Sequence, residues 1–301
     1  MNNLLIIAAV TLGSFANNAM AQRDQCVDRL YNDILFKGVP DVLPMGLTEN
    51  RSLIMEAANF DQRVASFIHT EFNDDEREAG ARVVFHLAKY VVKNKLPWRE
   101  LFLGHYNVYP KKGTVVEAEN GLGYFSLFPW KQTYAGNEEN GVQINAAYRI
   151  LHNMTYLRSE AVDSEEVGLD DLDAEGRRQK PCSSCHYEQW FALDKTASVL
   201  GKVRRQGDKL TFEGPSGEFV KLFNDEVSVR DKYGLVNAIA DSEHFRYNAC
   251  RLAFKFVFRQ DHARGDAEIE AFDACMKVFQ KDSTIQTAIG ALLKSKAFCK
   301  S

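Results

Sequence analysis

One short segment of the sequence combines residues that could bind an iron-containing cofactor. Pro181 is followed by Cys182, two serines, Cys185 and His186, which is the C-x-x-C-H pattern of c-type haem attachment. Two cysteines at this spacing can each form a thioether with one of the two vinyl groups of a porphyrin. The adjacent imidazole is then held under the iron as an axial ligand. The segment predicts one covalent haem c, held by Cys182 and Cys185 and ligated by His186.

Three other interpretations of the cysteine pair are less consistent with the surrounding sequence. A thioredoxin-like redox motif needs a βαβ context, which the flanking residues do not show. A zinc site needs a second pair of cysteines or histidines at ligand spacing, and the sequence offers none. A simple disulfide between Cys182 and Cys185 would leave His186 without a role.

The second axial ligand of the iron is less well defined. His and Met are the usual donors, and His152 and Met154 lie on a predicted helix before the motif. These side chains point about 200° apart around a helix, so only one of them can face the iron. Met154 is the preferred candidate and His152 the alternative, followed by Met276, His244 and His105. An open position would instead permit small-ligand binding or peroxide chemistry.

The other four cysteines are candidates for disulfides. An even number in an oxidising compartment suggests two bridges, for which three connectivities exist. Cys250 and Cys275 lie on either side of an interruption between two predicted helices, at 263–264. An antiparallel hairpin of these helices would bring the two cysteines level with each other. We therefore favour Cys250–Cys275, which leaves Cys26–Cys299 to tie the termini together. Buried free thiols are the alternative.

The N-terminal residues are typical of a secretory signal peptide. Residues 4–15 are almost all apolar and uncharged, and Ala19-Met20-Ala21 forms a small-x-small cleavage site before Gln22. The start of the chain departs from the pattern because it has no Lys or Arg. The apolar run is shorter than the roughly 20 residues that a membrane span needs. We expect cleavage of residues 1–21 and export to the bacterial periplasm, where c-type haem is attached, with no membrane span in the mature protein.

The overall composition is that of a globular protein. The chain has 301 residues, 37 Lys and Arg against 41 Asp and Glu, and 45% hydrophobic residues. These proportions disfavour a disordered, collagen-like or coiled-coil protein. The net charge is −4, so the chain lacks the excess of basic residues that is typical of nucleic-acid-binding proteins. No nucleic-acid partner is therefore predicted.

The apolar spacing predicts a mainly α fold. We divide the mature chain into an N-terminal helical region at 22–100, a haem-binding region at 101–226 and a C-terminal helical module at 227–301. The haem-binding region contains a β-hairpin insertion at Lys202–Phe212, around a turn with Gly207. Three helices are predicted in the C-terminal module, and Ser242 could cap the first of them.

Residues 160–175 carry eight acidic side chains and no basic one. This composition is typical of a solvated surface loop. A docking patch for a basic partner is the alternative.

Several of these segments resemble one known family. The C-x-x-C-H motif at 182–186 is followed by Phe191-Ala192-Leu193-Asp194 and then by Gly201. Together these residues resemble the haem-binding segment of planctomycete-type cytochrome c proteins. The tail from 235 is similar to their C-terminal helical module, with the pattern carried by Leu235, Ile239, Ala240, Ser242, Phe245, Ser295 and Phe298. Trp98-Arg99-Glu100-Leu101-Phe102, before Tyr106 and Asn107, resembles the segment upstream of their haem.

The chain also departs from the family pattern. It has Tyr187-Glu188-Gln189-Trp190 where the family usually has Asp-Pro, and Phe258-Arg259 where the family has Gly-Arg. The resemblance implies a shortened monohaem c-type cytochrome, of a family often associated with extracytoplasmic oxidation or polymer breakdown. It implies neither a defined reaction nor a distal ligand.

The sequence thus predicts an exported monohaem c-type cytochrome that passes single electrons between redox protein partners. The first alternative is a haem enzyme with an open iron site, similar to a peroxidase. The second is a structural subunit of a cell-envelope complex, in which haem mainly stabilises the fold.

Overall fold

The computed structural model describes residues 26–35, 53–72, 82–119, 123–136, 138–159, 173–207, 209–215, 220–223 and 225–300. The predicted signal peptide at 1–21 lies outside the described residues, and so does most of the acidic segment, at 160–172. The C-x-x-C-H motif and all six cysteines lie within them.

The described chain is mainly α-helical, which confirms the predicted fold class at that level. A π-helical turn at Leu30–Leu35 comes first, and short helical turns lie at Glu100–Leu103, Gly123–Ser126 and Lys296–Lys300. The longer helices in the described ranges are α1 (Phe60–Phe72), α2 (Val83–Lys93), α3 (Phe128–Tyr134), α4 (Ile144–Thr155), α5 (Leu193–Leu200), α6 (Lys232–Ala240), α7 (Glu243–Phe258), α8 (Asp266–Val278) and α9 (Ile285–Leu293).

The β-structure of the described residues is confined to separate two-stranded antiparallel hairpins. They pair β1 (Tyr106–Tyr109) with β2 (Thr114–Glu117), β3 (Lys202–Gln206) with β4 (Lys209–Glu213), and β5 (Val220–Leu222) with β6 (Asp225–Val227). The β3–β4 hairpin lies where the sequence predicts one, with Gln206 opposite Lys209. Its turn contains Gly207 at φ +60°, a conformation that glycine adopts readily. The β1–β2 hairpin lies within residues 101–130, whose Gly, Pro and aromatic content is typical of loops with short strands. The β5–β6 hairpin was not predicted.

Helix α7 is the central element of the helical core. It spans 16 residues and packs against α1, α4, α6, α8 and α9. The helix begins after Ser242 because the Ser242 hydroxyl accepts a hydrogen bond from the Phe245 N–H, which is the cap that the sequence suggests. Its apolar residues are buried against these neighbours, among them Phe245, Leu252, Ala253, Phe254, Phe256 and Val257.

A polar network centred on Arg251 lies within this core. The Arg251 guanidinium in α7 donates hydrogen bonds to Asp261 and to Asn248, each at 3.0 Å, and its carbon lies 3.6 Å from the centre of the Tyr156 ring. The Arg251 residue is only 3% exposed. A buried cation of this kind is stable only because its donors are satisfied.

The C-terminal part of the chain contains one long helix more than the three predicted. Helix α6 precedes the helix capped by Ser242, and it buries Leu235, Val236 and Ile239. Its start is fixed by the Asp231 carboxylate, which accepts a hydrogen bond from the Gly234 N–H at 2.7 Å. A nine-residue helix with a glycine in its first turn has a weak periodic signal, so sequence reasoning missed it.

Two disulfides connect distant parts of this core. Cys250 in α7 is joined to Cys275 in α8, with 5.9 Å between their Cα atoms, and Cys26 is joined to Cys299. These pairings coincide with those favoured from the sequence. The second bridge links positions 273 residues apart and so holds the first described helical turn against the end of the chain.

None of the helices in the described ranges is both long and apolar enough to cross a membrane.

The disulfide between α7 and α8 should stabilise the fold measurably. Both of its cysteines are fully buried, and the bridge closes a segment of 25 residues. Replacing Cys250 and Cys275 together by Ala should therefore lower the free energy of unfolding by about 3 kcal/mol. Urea unfolding followed by far-ultraviolet circular dichroism measures this difference.

The matched control is the double variant Cys182→Ala/Cys185→Ala, measured beside the wild type in protein prepared without haem. Because these cysteines are not joined by a disulfide, their removal should change the unfolding free energy by less than about 1 kcal/mol. Equal losses in the two double variants would contradict the stabilising role of the buried bridge.

Candidate haem attachment site

The C-x-x-C-H motif lies between a 3₁₀ turn at Gly176–Arg178 and helix α5. Its second half forms a π-helical turn, Ser184–Glu188, which packs against α5 and against the 3₁₀ turn. The Asp173 carboxylate accepts hydrogen bonds from the backbone N–H groups of Glu175 and Gly176 and so fixes the start of the 3₁₀ turn. The motif is therefore supported on both sides by local structure.

Cys182 and Cys185 are the two cysteines that the structure leaves as free thiols, since the other four are paired. Both side chains are half-buried. Cys185 also packs against the hydrophobic core. The motif thus presents two unpaired sulfur atoms beside a histidine, which is the donor set that covalent haem attachment needs.

The His186 ring is held by a carboxylate. Its Nδ1 lies 2.6 Å from Oδ2 of Asp194, and the His186 side chain is 20% exposed. An ionised carboxylate can only accept a hydrogen bond, so Nδ1 carries a proton, and in the neutral imidazole the lone pair is then on Nε2. This tautomer leaves Nε2 as the nitrogen that can bind a metal.

Asp194 is in turn held by Arg177. The guanidinium donates from Nε to Oδ2 at 3.1 Å and from Nη2 to Oδ1 at 2.9 Å, which is a bidentate pair. Partial burial by itself would raise the pKa of the Asp194 carboxyl. The hydrogen bonds from His186 and Arg177 outweigh burial and lower this pKa to about 2, so Asp194 is ionised at neutral pH.

The position of Asp194 depends on how α5 is anchored. Asp194 lies in the first turn of this helix, and at the other end the Gln143 amide donates to the carbonyls of Leu200 and Gly201 at 2.9 and 3.1 Å. Gly201 has φ +75°, and a Cβ at this position would lie 2.3 Å from the Glu213 carbonyl oxygen. Only glycine allows β4 to approach the end of α5 this closely.

A cleft of about 390 Å³ opens beside the ion pair. Arg177, Tyr187, Asp194, Ser198 and Lys202 are among its lining residues, whereas the two motif cysteines and His186 are not. The cleft therefore borders the Asp194 side of the site and not the sulfur atoms.

An aromatic stack follows the motif on another side. The ring centre of Phe223 lies 4.9 Å from that of Trp190 and 4.4 Å from that of His244, with nearly parallel planes. Trp190 also contacts Phe191 edge-on. This stack joins the end of the motif segment to the β5–β6 turn and to the first turn of α7.

The five candidates for the second axial ligand lie in different environments. Met154 is fully buried in the core on α4, and Met276 is half-buried on α8. The ring nitrogens Nδ1 of His152 and His105 lie 2.7 and 3.0 Å from the carbonyl oxygens of Leu157 and Glu119, respectively.

His244 is the candidate that touches the motif segment through a ring contact. Its centre lies 5.2 Å from that of Trp190, four residues after His186. His244 is itself exposed. The structure thus places His244 beside the site without assigning it, or any other candidate, to the iron.

Sequence reasoning missed two features of this site. Asp194 falls in the segment that carries the family resemblance, but its partnership with His186 was not predicted. An acidic residue only eight positions after the histidine is the local signal that could have suggested it. The stack of Trp190, Phe223 and His244 joins distant segments, and nothing in the local sequence indicates it.

Comparison with known proteins adds no family to these observations, since no family model, no curated protein and no solved structure matches the chain. The resemblance to planctomycete-type cytochromes stays a prediction from the sequence.

Proposed function

We propose that this chain is an exported monohaem c-type cytochrome that transfers single electrons between protein partners. The observation that carries the proposal is the division of the six cysteines. Four are paired in disulfides, and the two left as free thiols are those of the C-x-x-C-H motif. In an oxidising compartment, two thiols kept for another use are best explained by covalent attachment of a cofactor.

The residues present suit a haem in their chemistry. The Cys182 and Cys185 thiols would each add across a vinyl group, so that the sulfur binds one carbon and the thiol hydrogen moves to the other. His186 would supply an axial nitrogen, and Asp194 keeps its ring in the required tautomer. Bound haem would supply one-electron exchange between ferric and ferrous iron.

Export and partners are inferred from the sequence. The signal peptide predicted at 1–21 directs the chain to the periplasm, where haem attachment and disulfide formation both take place. The partners would be redox proteins of that compartment or a cell-envelope complex. The acidic segment at 160–175 is the candidate contact for a basic partner.

A haem enzyme with an open iron site is the second candidate, and one observation favours it. A carboxylate on the proximal imidazole makes that ligand more basic, which stabilises the higher oxidation states of iron. The 2.6 Å contact between His186 and Asp194 is of this kind. Such a site would suit peroxide chemistry if the sixth position of the iron were open.

Haem attachment tests the proposal most simply. The full chain, produced with a c-type maturation system, should carry one haem per protein by pyridine haemochrome spectrum and intact mass. Cys182→Ala/Cys185→Ala should carry none covalently, since no thioether can form, and His186→Ala should lose normal axial ligation. Ser184→Ala, within the same motif, is the control and should retain the full haem content. A wild-type protein without covalent haem would contradict the proposal.

Ligand binding separates the two candidate functions. For an electron-transfer protein we expect a low-spin iron whose visible spectrum does not change with carbon monoxide in the ferrous state or with cyanide in the ferric state. A high-spin wild type that binds both ligands would contradict simple electron transfer and favour the enzyme.

The same spectra test Met154 as the second axial ligand. Met154→Leu keeps the volume of this buried side chain, so the fold should lose less than about 1.5 kcal/mol. Loss of the thioether should open the iron to carbon monoxide, whereas the control Met276→Leu should not. If Met154→Leu stays low-spin, Met154 is excluded, and His244→Ala becomes the next test because of its position beside Trp190.

A further inference from the structure

We infer that Asp194, held by Arg177, lowers the reduction potential of the haem iron by acting on the imidazole of His186. The inference rests on the proposed function, because it concerns the iron that His186 would bind. Asp194 touches neither the iron nor a substrate in this account. It is a positioning and tuning residue that acts through the ring.

The first step is the hydrogen bond itself. Nδ1 of His186 donates to Oδ2 of Asp194 over 2.6 Å, and the Asp194 side chain is only 10% exposed. Water therefore screens this contact poorly. The negative charge of the carboxylate at this distance draws the Nδ1 proton towards it and increases the electron density at Nε2.

The second step is the effect on iron. A more electron-rich Nε2 stabilises the ferric state more than the ferrous state, because the ferric ion carries the additional positive charge. The equilibrium shifts towards ferric iron, and the reduction potential falls. A neutral backbone carbonyl, the other common partner of an axial histidine, would have a smaller effect.

The third step concerns Arg177, whose charge acts in the opposite direction. Its bidentate pair with Asp194 fixes the carboxylate in place and neutralises part of its charge. Removing this cation should therefore leave a stronger negative charge facing His186. The two members of the pair should shift the potential in opposite directions when each is neutralised.

The geometry is built into the fold and does not depend on a flexible surface contact. Asp194 lies at the start of α5, the Gln143 amide fixes the end of that helix, and the Arg177 side chain is only 15% exposed. Held in this way, the carboxylate is preorganised to accept the hydrogen bond from Nδ1 of His186.

Spectroelectrochemical titration of the purified haem protein tests the inference. Asp194→Asn keeps an oxygen that can accept the Nδ1 hydrogen bond but removes the charge. We expect it to raise the reduced-to-oxidised ratio at a fixed potential at least tenfold, which is a rise of about 59 mV for one electron. Arg177→Gln should lower the potential. Asp194→Glu, which keeps the charge, should stay closer to the wild type than Asp194→Asn.

The matched control is Asp261→Asn, which removes the same charge from another Arg–Asp pair, the one with Arg251 in the core. Its potential should equal that of the wild type. An unchanged potential in Asp194→Asn, or a rise in both Asp194→Asn and Arg177→Gln, would overturn the inference. The second outcome would indicate loss of ring orientation and not tuning by charge.

Haem content is measured separately in each variant, so failure of the proposed function can be distinguished from failure of the inference about Asp194. A wild type without covalent haem contradicts the proposed function, whereas a haem-loaded set of variants with one common potential contradicts only the role of Asp194. If Asp194→Asn cannot retain haem, Arg177→Gln alone tests the inference. A lower reduction potential in this variant supports the inference, and an unchanged or higher potential overturns it.

Discussion

The contact between His186 and Asp194 is the interaction on which the candidate site depends. It joins the π-helical turn of the motif to helix α5, and it determines which ring nitrogen carries the proton. Without a partner for Nδ1, the imidazole could rotate and change tautomer, and Nε2 would then not be held in one position for binding a metal. The ion pair with Arg177 then holds the carboxylate in place.

The rest of the fold supports this contact through a few rigid connections. Gln143 ties the start of α4 to the end of α5, and α4 packs against the central helix α7. Disulfides attach α7 to α8 and the first described turn to the end of the chain. The six cysteines therefore have two different physical roles. Four hold the scaffold, and two are left free in the motif that the scaffold positions.

Features encoded over a few neighbouring residues could be predicted from the sequence. The motif at Cys182–His186, the cap at Ser242 and the β3–β4 hairpin depend on local spacing, and the structure has the cap and the hairpin in place. Contacts that depend on how elements pack could not be predicted. The partnership of His186 with Asp194 requires a turn between them, and the stack on Trp190 joins three segments of the chain. A second axial ligand, if the proposed haem has one, would likewise depend on how distant segments pack.

The central claim is that Cys182 and Cys185 carry a haem, and peptide mapping tests it most directly. Protein produced with a c-type maturation system is digested with trypsin under alkylating conditions, and the peptide Gln179–Lys195 is examined by mass spectrometry. We predict that this peptide carries the mass of one haem and that neither of its cysteines is alkylated. A peptide with both cysteines alkylated, or joined to each other in a disulfide, would contradict the account.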